Sequence, residues 1–271
     1  MTDEAAEAFF RTVAAPRRRD QPRLAEPLHD VAVHRVSTPY GTVAAWRLGR
    51  GPATLLVHGW EDDNSLWTEM IAALVGRGHA VVVFDLPAHG FSGGETGLGF
   101  EAADAARAVS AALGPIEAIV AHSMSGGAAA LAVDEGLPVR CCVLIAPPAG
   151  GGDRWRRIAM RTGVAEDVAD RARAMYESRV GVERVTSYDL GQVLARLDAD
   201  VMIVHSEDDE HMPVRGSQEL LAQCPNLQLL LVSGHTHRRT ARAAEATAGI
   251  VDFIERTGAM HAKETGKARG G

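Results

Sequence analysis

Ser123 stands in the run Ala121-His122-Ser123-Met124-Ser125-Gly126-Gly127. The apolar segment Ile116 to Ala121 precedes it and the small residues Ala128 to Ala132 follow. A strand that feeds a helix through a turn centred on serine lifts the hydroxyl clear of the sheet, where it can attack a carbonyl carbon. A free hydroxyl is a poor nucleophile near neutral pH and needs a base to take its proton. Two histidines, His235 and His237, follow Gly234 just beyond the apolar run Leu229 to Val232. An imidazole there can accept the proton and return it. Two acids, Asp208 and Asp209, follow another apolar run, Val201 to Val204. Either can orient the imidazole and stabilise its charged form. The chemistry these residue types would support is acyl transfer through a serine. Ser125 is the rival hydroxyl, expected to face the strand and not the pocket.

The elements that must position these groups are legible as buried-strand runs ending in polar loops. Leu55-Leu56-Val57 leads into His58-Gly59-Trp60, and Val81 to Phe84 leads into Asp85-Leu86-Pro87-Ala88-His89-Gly90-Phe91-Ser92. Helical stretches alternate with them. Trp67, Met70, Ile71, Leu74 and Val75 form one apolar stripe. Further helices are expected over Glu101 to Leu113, Met124 to Glu135, Val214 to Cys224 (ended by Pro225) and Arg238 to Arg256. Alternation of this kind predicts an α/β fold with a mostly parallel sheet covered on both faces. Asp3 to Ala14 reads as an amphipathic helix before a proline-bearing linker. Val31-Ala32-Val33 and Val43 to Trp46 read as two strands around Pro39-Tyr40-Gly41. From about Pro148 to Arg196 the alternation stops, and helical pieces are expected over Arg154 to Thr162, Ala165 to Ser178 and Val182 to Leu197.

Together these motifs resemble the α/β-hydrolase family from about Val31 to Ile254. The order serine, aspartate, histidine is the order of that family's triad. The resemblance implies an eight-stranded, mostly parallel sheet flanked by helices, with 148–196 as a short helical cap. The core would comprise 30–147 and 197–257, with a helix and linker over 1–29 and a flexible tail over 258–271. It selects His235 as the base, because similar hydrolases place histidine directly after such a glycine. It selects Asp209 over Asp208, counting from Ser206 to the Met212-Pro213 pair, and leaves Asp208 to face solvent or cap the next helix. The amides of Trp60 and Met124 would form the oxyanion hole. The side chains of Trp60, Trp155 and Met175 would line the substrate pocket. Ala121, Ser125 and Ala88 stand where the family usually has glycine.

The implied activity is hydrolysis of a small or medium acyl ester, with a small-molecule ester as partner and no cofactor. Thioesterase, lipase, carbon–carbon hydrolase and haloperoxidase-like members share the triad, and a non-catalytic receptor can retain it. Serine at the turn argues against relatives that use aspartate there. No histidine pair has helical metal-ligand spacing such as H-E-x-x-H, so no metal is expected.

The 271 residues suffice for one well-buried domain, and 46% hydrophobic content argues against disorder. A net charge of −7 gives no reason to expect nucleic acid or an anionic membrane as partner, and Arg17-Arg18-Arg19 reads as a solvated patch. Only three cysteines occur, and the N-terminus lacks a basic start followed by an apolar core. Both features suggest a cytoplasmic protein without disulfides. Oligomeric state is not legible.

Overall fold

Five strands are buried at every residue: β3 (Ala53–Val57), β4 (Ala80–Phe84), β5 (Ala118–His122), β6 (Cys141–Ile145) and, but for its first residue, β7 (Asp200–Ser206). Continuous apolar runs of this kind suit strands covered on both faces, and these five are parallel to one another. The computed structural model describes residues 3–18, 20–148, 154–224 and 227–268. β8 (Leu227–Val232) extends the parallel set beside β7. The antiparallel hairpin of β1 (His34–Thr38) and β2 (Gly41–Leu48) closes the other edge. The eight strands form one sheet in the order β1-β2-β4-β3-β5-β6-β7-β8.

The hairpin corrects one expectation. The first strand lies at 34–38, immediately after Val31-Ala32-Val33. The tight turn before Gly41 sets the register, pairing Val36 with Val43 and His34 with Ala45. Val36 is thereby buried, while Val33 remains 46% exposed.

Helices cover both faces. On one lie α2 (Thr68–Gly76), reached through a 3-10 turn at Asn64–Trp67, and α11 (Ala244–Ala268), which buries Ala246, Ile250, Val251, Phe253 and Ile254. On the other lie α3 (Gly99–Leu113) and α4 (Met124–Asp134), whose alanines let helix and sheet approach closely. α9 (Arg215–Gln223) joins β7 to β8. The helix expected over 238–256 is two helices, with α10 (His237–Thr240) before α11. α11 also continues past Gly258 to Ala268, where a frayed tail is expected from sequence. Residues 269–271 of that tail, Arg19 of the basic run, the helix stop Pro225 and 149–153 of the expected cap lie outside the described residues.

Between β6 and β7 the chain forms α5 (Arg154–Thr162), α6 (Glu166–Val180), α7 (Val182–Thr186) and α8 (Leu190–Arg196). The amphipathic helix α1 (Asp3–Ala14) is not a separate appendage. Its Ala6, Phe9 and Val13 are buried in one cluster with Trp155, Ala159, Ala169, Ala172 and Tyr176 of the insert. Phe10 stacks on Trp155 with ring centroids 5.9 Å apart. Arg184 fastens α7 to the core, pairing with Asp104 of α3 at 2.8 Å and with Glu135 just after α4.

Candidate active site

Ser123 sits between β5 and α4 with φ 56° and ψ −128°. A side chain rarely adopts this backbone region, and such strain clusters at functional turns. Neighbouring backbone holds it there. The Ser123 amide donates to the Ile145 carbonyl at 2.8 Å, and the Ser123 carbonyl accepts from the Gly126 amide at 2.8 Å. The loop after β3 presses on the same turn. A Cβ on Gly59 would lie 3.1 Å from Ser123 Cβ and 3.0 Å from His122 Nδ1, so only glycine fits without displacement. Ser125, at a position usually occupied by glycine, is fully buried, and its hydroxyl donates to the His58 carbonyl at 2.6 Å. That bond ties the turn to the loop that carries Trp60. The two expected oxyanion amides, of Trp60 and Met124, thus belong to backbone immediately beside Ser123.

The structure corrects the choice of histidine. His237 Nε2 lies 2.8 Å from Ser123 Oγ, and His237 Nδ1 lies 2.7 Å from Asp209 Oδ2. A carboxylate can only accept, so Nδ1 carries the proton and Nε2 is free to accept from the serine. His235 instead points away, with Nε2 2.6 Å from Glu245 Oε1 at the start of α11. The loop geometry explains this. The chain turns at Gly234 (φ +78°), which throws the next side chain outward, and α10 then begins at His237. The first turn of that short helix brings its leading side chain back over the sheet. The His-Thr-His spacing puts two candidates in the sequence, and the one-turn helix that begins at the second leaves no apolar periodicity to read.

Asp209 is 4% exposed. Its Oδ1 accepts from the amides of His211 at 3.0 Å and Met212 at 2.9 Å. Burial opposes its charge, but the Met212 amide, the His237 ring and the His211 amide outweigh burial and hold the carboxyl below its ordinary range. Asp208 is exposed, yet it has a task of its own. Its Oδ2 accepts the Gly234 amide at 2.6 Å and so fixes the turn before His237. The two adjacent acids divide the work between the imidazole and the loop that carries it.

Three groups support the site; Arg238 and His122 are not evident from sequence, whereas Asp85 belongs to a loop whose resemblance implies a supporting role. Arg238 forms a two-bonded ion pair with Asp62, at 2.6 and 2.9 Å, linking the segment that carries His237 to the loop that carries Trp60. Buried His122 donates from Nε2 to the His237 carbonyl at 3.1 Å. Asp85 takes the Asn64 amide at 2.7 Å and the Phe91 amide at 2.8 Å, joining the two loops beneath the site. Two further histidines are built into the framework. His205 Nε2 donates to the Met212 carbonyl at 2.8 Å, and His89 Nδ1 donates to the Pro87 carbonyl at 2.8 Å. Among the described residues no three His, Cys, Asp or Glu side chains group as a metal site.

Of the three side chains expected to line the pocket, Trp60 packs with Met124 against the cluster formed by α1 and the insert. Trp155 is buried inside that cluster among Phe9, Phe10 and Tyr176. Met175 is 37% exposed. The structure therefore places Trp155 as packing between insert and α1, and Met175 at the surface. Periodicity within the insert could not show this, because the helix that covers Trp155 lies far away in the sequence.

His122 and His89 carry a consequence for stability. Burial lowers both pKa values to about 3, in His122 with help from the neighbouring His237 ring. Both are depressed below the unfolded value near 6.5, so below that pH the unfolded chain binds protons that the folded chain refuses. Stability is therefore present above about pH 6.5 and is lost as pH falls toward 3. Between pH 7 and 5 each histidine is expected to remove about 2 kcal/mol from the unfolding free energy. Buried Asp85 and Glu101, whose carboxyls burial pushes up, act in the opposite sense. Comparing wild type with His122→Gln isolates one histidine. Urea unfolding at the two pH values should show a loss about 2 kcal/mol smaller in the variant. Equal losses would mean that His122 does not titrate this way.

A family model described as the alpha/beta hydrolase family matches residues 54–253. The chain belongs to the α/β-hydrolase family and is an enzyme of that hydrolase class. It is 27% identical to a non-heme haloperoxidase of Rhodococcus erythropolis, over 76% of this chain and 93% of that protein. An esterase of Pyrococcus furiosus superposes with a TM-score of 0.68 at 17% identity, covering 90% of this chain and 97% of the esterase. A bromoperoxidase of Bacillus anthracis superposes with a TM-score of 0.61 at 16% identity, covering 83% and 100%. No helix among the described residues is long and apolar enough to cross a membrane.

Proposed function

We propose that this protein hydrolyses carboxylic esters of small or medium acyl length through an acyl-enzyme on Ser123. The observation that carries the reading is the continuous chain from Ser123 Oγ to His237 to Asp209. Ser123 Oγ attacks the ester carbonyl while its proton passes to His237 Nε2. The amides of Trp60 and Met124 receive the charge that develops on the carbonyl oxygen. His237 returns the proton to the departing alcohol. Water, deprotonated by the same nitrogen, then releases the acid and restores the serine. Asp209 keeps the imidazole in its Nδ1–H form throughout. No cofactor takes part in these steps. The cysteines Cys141, Cys142 and Cys224 are free and buried, which supports a reducing, cytoplasmic setting.

A fluorophosphonate probe tests this reading. Wild-type protein should be labelled covalently and should turn over p-nitrophenyl esters, and Ser123→Ala should do neither while remaining folded. Labelling that persists in Ser123→Ala would reject Ser123; labelling without any turnover would favour a receptor.

The name of the Rhodococcus relative favours a second reading, halide oxidation. On this site it would proceed by attack of hydrogen peroxide, in place of water, on the acyl-enzyme, releasing a peracid that oxidises halide. Bromination of a dye that needs peroxide, bromide and a short carboxylic acid together, and that fails in Ser123→Ala, would establish it.

A further inference from the structure

Arg154 opens α5 beside the site, and its guanidinium carbon lies 4.7 Å above the Trp60 ring centroid. Trp60 follows Gly59, the residue pressed against Ser123, and its ring packs with Met124, the residue after Ser123, against the cluster of α1 and the insert. Arg154 Nη2 donates to the Val13 carbonyl at 3.3 Å. Its Nε is buried and has no hydrogen-bond partner among the described residues. No carboxylate among the described residues ion-pairs with it. Its acidic neighbour Glu61 is engaged by Arg17 at 3.3 Å, and Arg157 adds a repulsive positive charge. Several other arginines of the insert are paired, as Arg179 with Glu101 at 3.1 Å and Arg196 with Asp134 at 2.6 Å, while Arg157 and Arg161 are exposed.

A half-buried guanidinium without a counter-ion is costly unless a ligand supplies the charge. Arginine presents a planar fork of N–H donors that matches a carboxylate. Its stem and ring partner hold the fork in place before any ligand arrives. Dispersed surface charge does not account for the arrangement, because the group is withdrawn between α1, α5 and Trp60.

We propose that Arg154 binds a carboxylate on the substrate, so that the preferred substrates are half-esters of dicarboxylic acids. This deepens the ester-hydrolase reading and rests on it. The carboxylate sits against Arg154 while the ester carbonyl sits at Ser123, and the acyl chain spans the gap along Trp60.

Mono-p-nitrophenyl adipate and p-nitrophenyl hexanoate share a six-carbon acyl chain and differ in the terminal carboxylate. Wild type should favour the adipate half-ester in kcat/KM by about tenfold or more, chiefly through KM. Arg154→Gln should bring the ratio of the two substrates to one or below. Arg154→Lys should give an intermediate ratio, since a point charge replaces the fork. Arg154→Met keeps a long stem against Trp60 and serves if the Gln variant fails to fold. Wild type that does not prefer the half-ester overturns the proposal, as does a preference that survives Arg154→Met. If neither ester is hydrolysed and Ser123 is not labelled, the hydrolase reading fails, and calorimetric titration with adipate decides the anion site. Binding to wild type that Arg154→Met abolishes keeps it; absence of binding removes it.

Discussion

His237→Ala is expected to lower kcat for ester hydrolysis by about five to six orders of magnitude, whereas His235→Ala should change it by no more than a few fold. The expectation follows from the positions of the two rings. His237 Nε2 is within hydrogen-bond reach of Ser123 Oγ, and without that acceptor the hydroxyl keeps its proton. His235 is occupied by Glu245 at the edge of α11 and touches neither reacting group. Removing it costs one partly exposed ion pair, which contributes little. Steady-state kinetics of both variants on p-nitrophenyl butyrate, with circular dichroism to verify folding, checks the pair. A collapse in His235→Ala with near-normal turnover in His237→Ala would reverse the assignment and would require the loop after Gly234 to rearrange.

Asp209→Asn is expected to lower kcat by about four orders of magnitude with little change in KM. The two amides that bond Oδ1 can still find an acceptor in the asparagine carbonyl, so the loop over 209–213 should keep its course. Oδ2 faces His237 Nδ1. With an amide nitrogen in its place, the imidazole must present a lone pair to the asparagine and its proton to Ser123. That tautomer cannot act as base, and the variant also lacks the charge that stabilises imidazolium. Asp208→Asn tests the other acid. Among the described residues its carboxylate bonds the Gly234 amide and does not touch His237, so the loss should be far smaller and should track how far His237 is displaced. Equal losses in the two variants would reject this division of labour.

The central strands and the order of the reacting residues can be read from sequence for one reason. Strands such as Val81 to Phe84 are apolar at successive positions, and a run buried on both faces looks the same whatever packs on it. Ser123 is legible because small residues surround it on a strand-to-helix turn. Asp209 can be chosen by counting along a loop. The base cannot be chosen by counting, because His235 and His237 are two residues apart and the four-residue helix that begins at His237 follows no apolar pattern. The bond from Arg238 to Asp62 joins positions far apart in sequence, and no spacing rule links them. The lining of the pocket fails for a related reason. The amphipathic stripe of α1 shows that it must be covered, but not that Trp155 and Tyr176 are what cover it.

The union of α1 with the insert also sets an order of assembly. α1 leaves the ribosome before every other described element, yet α6 follows only after more than half of the chain has been made. Until the insert is made Phe9 and Phe10 lack the Trp155 ring they pack against, and a lone helix of twelve residues is marginal in water. The loop closure that unites the two is among the longest in the molecule, so it comes late and is slow. The parallel sheet can grow through β6 before the insert exists. The nucleophile turn is therefore laid down early, while the wall beside it waits for α1 and the insert to meet. During synthesis the aromatic face of α1 stays open until the insert arrives, and surface of that kind is prone to aggregate.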